Sequence, residues 1–186
     1  MARTPSNMLD LGTKAPYFTL QNTIDGTSYS YADVHGKSGT VVMFICNHCP
    51  YVKHVFDGIT SLANDYQSKG IGFVAISSND VENYPDDAPE LMQQTAKEQG
   101  FTFPYLYDET QDVAKAYDAA CTPDFYLFDA DQLLVYRGQM DDSRPKNDIP
   151  VTGNDLREAL DALLSGASIN PIQKPSLGCN IKWKVN

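Results

Sequence analysis

The 186 residues hold 24 Asp+Glu against 14 Lys+Arg, a formal net charge of −10, with 42% hydrophobic and 20% charged residues. That balance suits one globular domain with a full core. It excludes disorder and disfavours nucleic-acid phosphates and anionic lipid as partners, because the basic residues are few and scattered. No segment approaches the roughly 20 apolar residues of a membrane span, and the opening MARTPSNMLDLGTKAP has no apolar signal core. A cytoplasmic location is expected. In a reducing compartment, the four cysteines Cys46, Cys49, Cys121 and Cys179 point to catalysis or metal rather than to a disulfide scaffold.

In chain order, residues 15–20 (APYFTL) and 27–34 (TSYSYADV), separated by Asp25-Gly26, predict a hairpin. Residues 40–45 (TVVMFI) are β-branched and almost wholly apolar, which predicts a central strand buried on both faces. From Pro50, apolar residues at Val52, Val55, Phe56, Ile59, Leu62, Ala63 and Tyr66 mark one buried helical face, with Gly70 as its stop. A second buried strand follows at 71–77. Residues 87–100 predict a helix with Asp87 and Glu90 spaced as a capping box. A short strand is expected at 103–107 and a short helix at 111–117. Residues 124–128 and 133–138 form a hairpin, and 153–166 a closing helix capped by Asn154 or Asp155. This gives one domain over residues 1–166 and a tail over 167–186, whose IKWKV has strand alternation that would pack the only Trp, Trp183, against the domain.

The segment CNHC sets Cys46 and Cys49 between the central strand and the long helix. A helix N-terminus favours negative charge, so a cysteine there is expected to fall below the usual pKa of about 8.5. Cys46 emerges from the strand and is expected to be the exposed, more acidic thiol that attacks first. Cys49, one turn in, is expected to resolve the mixed disulfide, with His48 adding positive charge. A zinc site from the four cysteines is the alternative, but the spacing C-x2-C-x71-C-x57-C lacks a second knuckle, and no metal ligands are assigned.

With CTPDFYLFD downstream and APYFTL near the start, CNHC resembles the thioredoxin-like superfamily, in its redoxin branch of alkyl hydroperoxide reductase and thiol-specific antioxidant proteins; the tail PSLGCNIKWK resembles a peroxiredoxin-like subgroup. The resemblance implies an α/β fold with a central mixed sheet flanked by helices. It also implies a cis Thr122-Pro123 bond beside the dithiol, with the backbone before the proline left open to pair with a substrate chain. Cys121 would then face the Cys46 neighbourhood, as a third redox thiol or a small buried residue. Cys179 would pair with Cys121, act as an additional resolving thiol or be structural, and topology brings Arg144, on the loop after the last strand, to the active-site end, where it is solvated or meets a thiolate or a substrate carboxylate.

Two departures matter. Thr40 stands where thioredoxins keep a buried acid, and the peroxidase loop and arginine of peroxiredoxins are absent. The expected activity is therefore thiol-disulfide exchange without a cofactor, on a disulfide-containing protein or small oxidised thiol, with a thiol electron donor. The alternatives are a weak peroxiredoxin-like peroxidase or a non-enzymatic metal-binding protein.

Overall fold

A computed structural model describes residues 3–185. After β1 (Arg3–Pro5), the hairpin forms from β2 (Thr19–Asn22) and β3 (Ser28–Ser30), antiparallel with Leu20 opposite Tyr29. Its second arm is shorter than the alternation suggests. Residues 31–34 turn into the one-turn helix α1 (Tyr31–Val34), because the Ser30 N–H and hydroxyl both donate to the Asp33 carboxylate at 2.8 and 2.6 Å.

The apolar run becomes β4 (Gly39–Phe44), buried at all six positions. The chain crosses over through α2 (Pro50–Tyr66), which buries all seven residues of the expected face, and a short 3-10 turn ends at Gly70 with φ +89°. It returns as β5 (Ile71–Ser77), parallel to β4. Next come α3 (Pro89–Glu98), β6 (Tyr105–Tyr107), α4 (Asp112–Ala116), β7 (Cys121–Thr122) and the hairpin β8 (Asp124–Asp129) with β9 (Leu134–Gly138). The closing helix α5 (Asn154–Ser165) precedes β10 (Leu177–Asn180) in the tail.

The main sheet runs β3-β2-β6-β5-β4-β8-β9 and is mixed, with β4 parallel to β5 and antiparallel to β8. Alternation along β4 sends Val41 and Met43 to one core with α2, α3 and α5, and Val42 and Phe44 to the other with Tyr31, Val34 and Ala114. Helices thus cover both faces, which is why β4 and β5 read as continuous apolar runs. This is the thioredoxin-like arrangement. No helix among the described residues is long and apolar enough to cross a membrane.

Three local expectations change. Asn154 and Asp155 lie inside α5, whose cap residue is Gly153 at φ +70°, and Asp141 Oδ2 instead accepts the N–H groups of Thr152 and Gly153 at 2.8 and 2.6 Å. Asp87 lies before α3 and caps nothing there; its carboxylate serves another purpose. The tail strand is LGCN rather than IKWKV: Ile181 is buried, Lys182 folds back to Asn180, and Trp183 is left exposed. The tail strand belongs to a second sheet, β1-β10-β7, pairing Cys179 with Thr122 and Asn180 with Cys121.

Candidate functional site

β4 ends beside the start of α2, so CNHC is presented at one edge of the sheet, and the cis Thr122-Pro123 bond lies against it as expected. Cys46 Sγ and Thr122 Oγ1 are 3.4 Å apart, and Cys49 Sγ is 3.4 Å from the Thr122 carbonyl oxygen. The third sulfur is Cys179, 2.7 Å from Cys49. The fold therefore gathers Cys46, Cys49, Thr122 and Cys179, and no disulfide joins the four cysteines.

The expected exposure of Cys46 is not found. Cys46 is 1% exposed and Cys49 0%, so the strand end does not surface as the pattern suggested. Cys49, not Cys46, occupies the N-cap of α2, where its carbonyl accepts the N–H groups of Val52 and Lys53, both at 3.0 Å. Hydrogen bonding from the Cys46 thiol, against the opposing effect of burial, and then from Cys179 and the Val52 N–H, brings Cys49 down to about 5. Burial, donation to Cys49 and the nearby Asp87 charge push Cys46 well above the ordinary thiol range. Cys46 lies three residues before the N-cap, outside the helix terminus.

His48 makes its hydrogen bond to Asp87 rather than to a thiol. Its Nδ1 lies 2.6 Å from Asp87 Oδ2, and its ring stacks on Tyr84. Asp87 also accepts the backbone N–H groups of Asn47 at 2.7 Å and His48 at 3.2 Å, and the Asn79 amide at 2.8 Å. The Asp87 hydrogen bond holds His48 above its ordinary pKa despite burial. Burial opposes Asp87 ionisation, yet the bonds from His48, Asn79 and Asn47 outweigh it and keep the carboxyl below its usual range. This buried acid pins the CNHC loop. Its position could not be read locally, because it reaches Asn47 across 40 residues of chain.

Other candidates lie apart from the sulfurs. Cys121 precedes Thr122 on β7, so its side chain leaves by the opposite side and hangs 3.8 Å from the Pro123 carbonyl, with burial pushing its thiol strongly up. It behaves as a small buried residue. Arg144 donates to the Asp141 and Ser143 carbonyls and to Gln139 Oε1, so it braces its own loop rather than meeting a thiolate. The cleft between that loop and Pro123 retains only about 10 Å³, since Ser176 and Leu177 of the tail fill it. A larger groove of about 660 Å³ lies between α2 and α3 and reaches Asn47 and His48, but none of the cysteines lines it.

Asp124, directly after Pro123, is fully buried and takes hydrogen bonds from the Ser6 hydroxyl at 2.7 Å, the Tyr126 hydroxyl at 3.0 Å and the Phe125 N–H at 3.1 Å. Burial outweighs these and raises its pKa to about 7. The folded state then binds a proton that the unfolded carboxyl releases near 3.8, so this group lowers stability as pH rises from about 4 to 7. Denaturant unfolding across that range is expected to show a shallower fall in Asp124→Asn than in wild type. Equal slopes would show Asp124 ionised throughout.

Among the described residues, one group of side chains could hold a metal ion: the ligand atoms of Cys46, His48 and Asp87 lie within 4.8 Å of one another. It shares only Cys46 with the four-cysteine set that the sequence offered. The site is thus a thioredoxin-fold arrangement of cysteines with a candidate metal cluster beside it.

Comparisons with known proteins agree with this architecture. The family model described as the AhpC/TSA family matches residues 11–137. An uncharacterised conserved protein from Geobacillus kaustophilus is 61% identical, with a TM-score of 0.98 over 100% of this chain and 98% of that one. The hypothetical protein SMc02350 from Sinorhizobium meliloti is 45% identical, with a TM-score of 0.96 over 98% and 100%. A Mycobacterium tuberculosis protein whose provisional name is peroxiredoxin Rv2521 is 33% identical over 116 residues, 62% of this chain and 68% of that one.

Proposed function

Because the chain belongs to the AhpC/TSA family within the thioredoxin-like superfamily, we propose that it is a thiol-based oxidoreductase whose nucleophile is Cys49. The observation that carries the reading is the position of the Cys49 sulfur, at the N-cap of a 17-residue helix and between Thr122 and Cys179. That placement corresponds to a peroxiredoxin-like order of attack rather than a thioredoxin-like one, with Cys46 in the supporting position. Lacking the peroxidase loop and arginine, the protein is expected to react with hydrogen peroxide at a rate nearer a free thiol than a dedicated peroxidase. Stopped-flow oxidation of wild type, Cys46→Ser and Cys49→Ser tests both points. Slow oxidation that depends on Cys49 supports the reading; oxidation orders of magnitude faster than free cysteine overturns the slow-peroxidase part, and loss of reaction in Cys46→Ser alone overturns the assignment of the nucleophile.

A second reading is favoured by a specific observation: the Cys46, His48 and Asp87 donor atoms already converge, whereas Cys46 and Cys49 are not joined. Sulfur, nitrogen and oxygen donors with a place left open suit a zinc-like ion. Such an ion would displace the proton of Cys46 and exchange the His48–Asp87 hydrogen bond for two coordinate bonds. Metal content measured alongside thiol titration on freshly purified protein separates the readings. Stoichiometric metal lost in Cys46→Ser and Asp87→Asn but kept in Cys49→Ser favours a metal-binding protein. Redox cycling without stoichiometric metal favours the oxidoreductase.

A further inference from the structure

The edge strand β7 ends in Thr122, immediately before the cis-proline, and it is not open. The protein's own tail lies along it as β10, antiparallel, with Cys179 opposite Thr122 and its sulfur 2.7 Å from Cys49. The backbone edge at which an incoming polypeptide would add a strand is therefore filled from within. The edge that the resemblance implied to be open for a substrate chain is closed.

Nothing about this tail is a loose visitor. On one side of Cys179, the Ser176 N–H donates to Ser6 Oγ at 2.8 Å, the Ser176 hydroxyl donates to the Pro123 carbonyl, and the Ser6 N–H donates to the Ser176 carbonyl. On the other side, the Ile181 N–H donates to the Ala120 carbonyl at 3.0 Å, and the Lys182 carbonyl accepts from the Asp80 N–H and the Gln111 amide, both at 2.8 Å. Gly178 is the residue that permits the approach. A Cβ there would sit 2.0 Å from the Thr122 carbonyl oxygen and 3.2 Å from Pro123 Cδ.

We propose that Cys179 is a resident third redox thiol, the disulfide partner of Cys49, and that the enzyme acts on small disulfides rather than on extended polypeptide substrates. The proposal rests on the Cys49-centred thiol reading above. The Cys49 thiolate attacks one sulfur of a small disulfide RSSR, forming Cys49–S–SR and releasing RS⁻. The Cys179 thiol, on losing its proton to solvent, attacks the Cys49 sulfur, forming the Cys49–Cys179 disulfide and releasing a second RS⁻. Cys49 and Cys179 are oxidised by two electrons, one RSSR is reduced to two RS⁻, and the single proton released by Cys179 balances the charge. Cys46 stays a thiol throughout, as the hydrogen-bond donor that supports Cys49.

The test uses the full chain with hydroxyethyl disulfide as the oxidant and maps disulfides by non-reducing peptide mass spectrometry. Wild type and Cys46→Ser are both expected to yield the Cys49–Cys179 link as the main product. Gly178→Ala, which forces the tail away from Thr122, is expected to lose that link by about tenfold or more while Cys46 and Cys49 become able to pair with each other. A Cys46–Cys49 disulfide in wild type, with no intramolecular disulfide in Cys46→Ser, overturns the role of Cys179 while leaving the thiol reading intact. No oxidation of Cys49 in any of the three proteins overturns the thiol reading itself.

Discussion

Replacing Cys49 with Ser is expected to abolish reduction of a small disulfide, whereas Cys46→Ser retains the first attack. The difference follows from which sulfur carries charge near neutral pH. A thiol held near 5 is almost wholly thiolate there, while one held above the ordinary range is at most about one part in a hundred ionised. In the Cys49→Ser protein burial still holds the remaining Cys46 thiol up, so it should react more slowly than wild type. In Cys46→Ser a hydroxyl replaces the thiol donor, so part of the stabilisation of Cys49 survives and attack continues at a reduced rate. The measurement is the initial rate of thiol loss with hydroxyethyl disulfide. Equal, near-complete losses in both variants would show a cooperative dithiol in which neither sulfur acts alone.

Asp87→Ala is expected to be the most destabilising substitution in the site, by about 3 kcal/mol or more, because it removes the acceptor for two buried N–H groups, an amide and an imidazole at once. The pH profile gives the sign. Asp87 has a depressed folded pKa, so its contribution is present above the unfolded value of 3.8 and is lost as pH falls through the lower folded value. His48 has a raised folded pKa, so its contribution is complete below 6.5 and is lost as pH rises through the higher folded value. The wild-type advantage over Asp87→Ala should therefore be largest between about pH 4 and 6.5 and should narrow on either side. Urea unfolding at a series of pH values reads it directly. A difference below about 1 kcal/mol across that window would mean that the CNHC loop is held by other contacts.

How much of this could be read from the residues depends on the range over which each feature is encoded. The burial of β4 and the inner face of α2 are written in adjacent residues with period 2 and period 3.6, and every expected position of α2 is buried. The place of CNHC follows from the same local signals, and the cis-proline from resemblance to a family. The failures are long-range. Asp87 looked like a local cap because its spacing to Glu90 fits one, while its true partners lie at Asn47, His48 and Asn79. The burial of Cys46 and Cys49 was not legible at the strand-to-helix junction, because Thr122 and Cys179, from distant parts of the chain, lie against the two sulfurs. Cys179 lies 130 residues beyond Cys49. No periodicity links them; only the pairing of β10 with β7 does, with Gly178 permitting the close approach of the two backbones.

The central claim is that Cys49 carries the reactive thiolate. Thiolate ultraviolet absorbance, titrated against pH in wild type, Cys46→Ser and Cys49→Ser, tests it without requiring a reagent to enter a buried site. The account predicts a step near pH 5 in wild type, kept with a modest upward shift in Cys46→Ser and absent in Cys49→Ser. A low-pH step that survives in Cys49→Ser and vanishes in Cys46→Ser would contradict it.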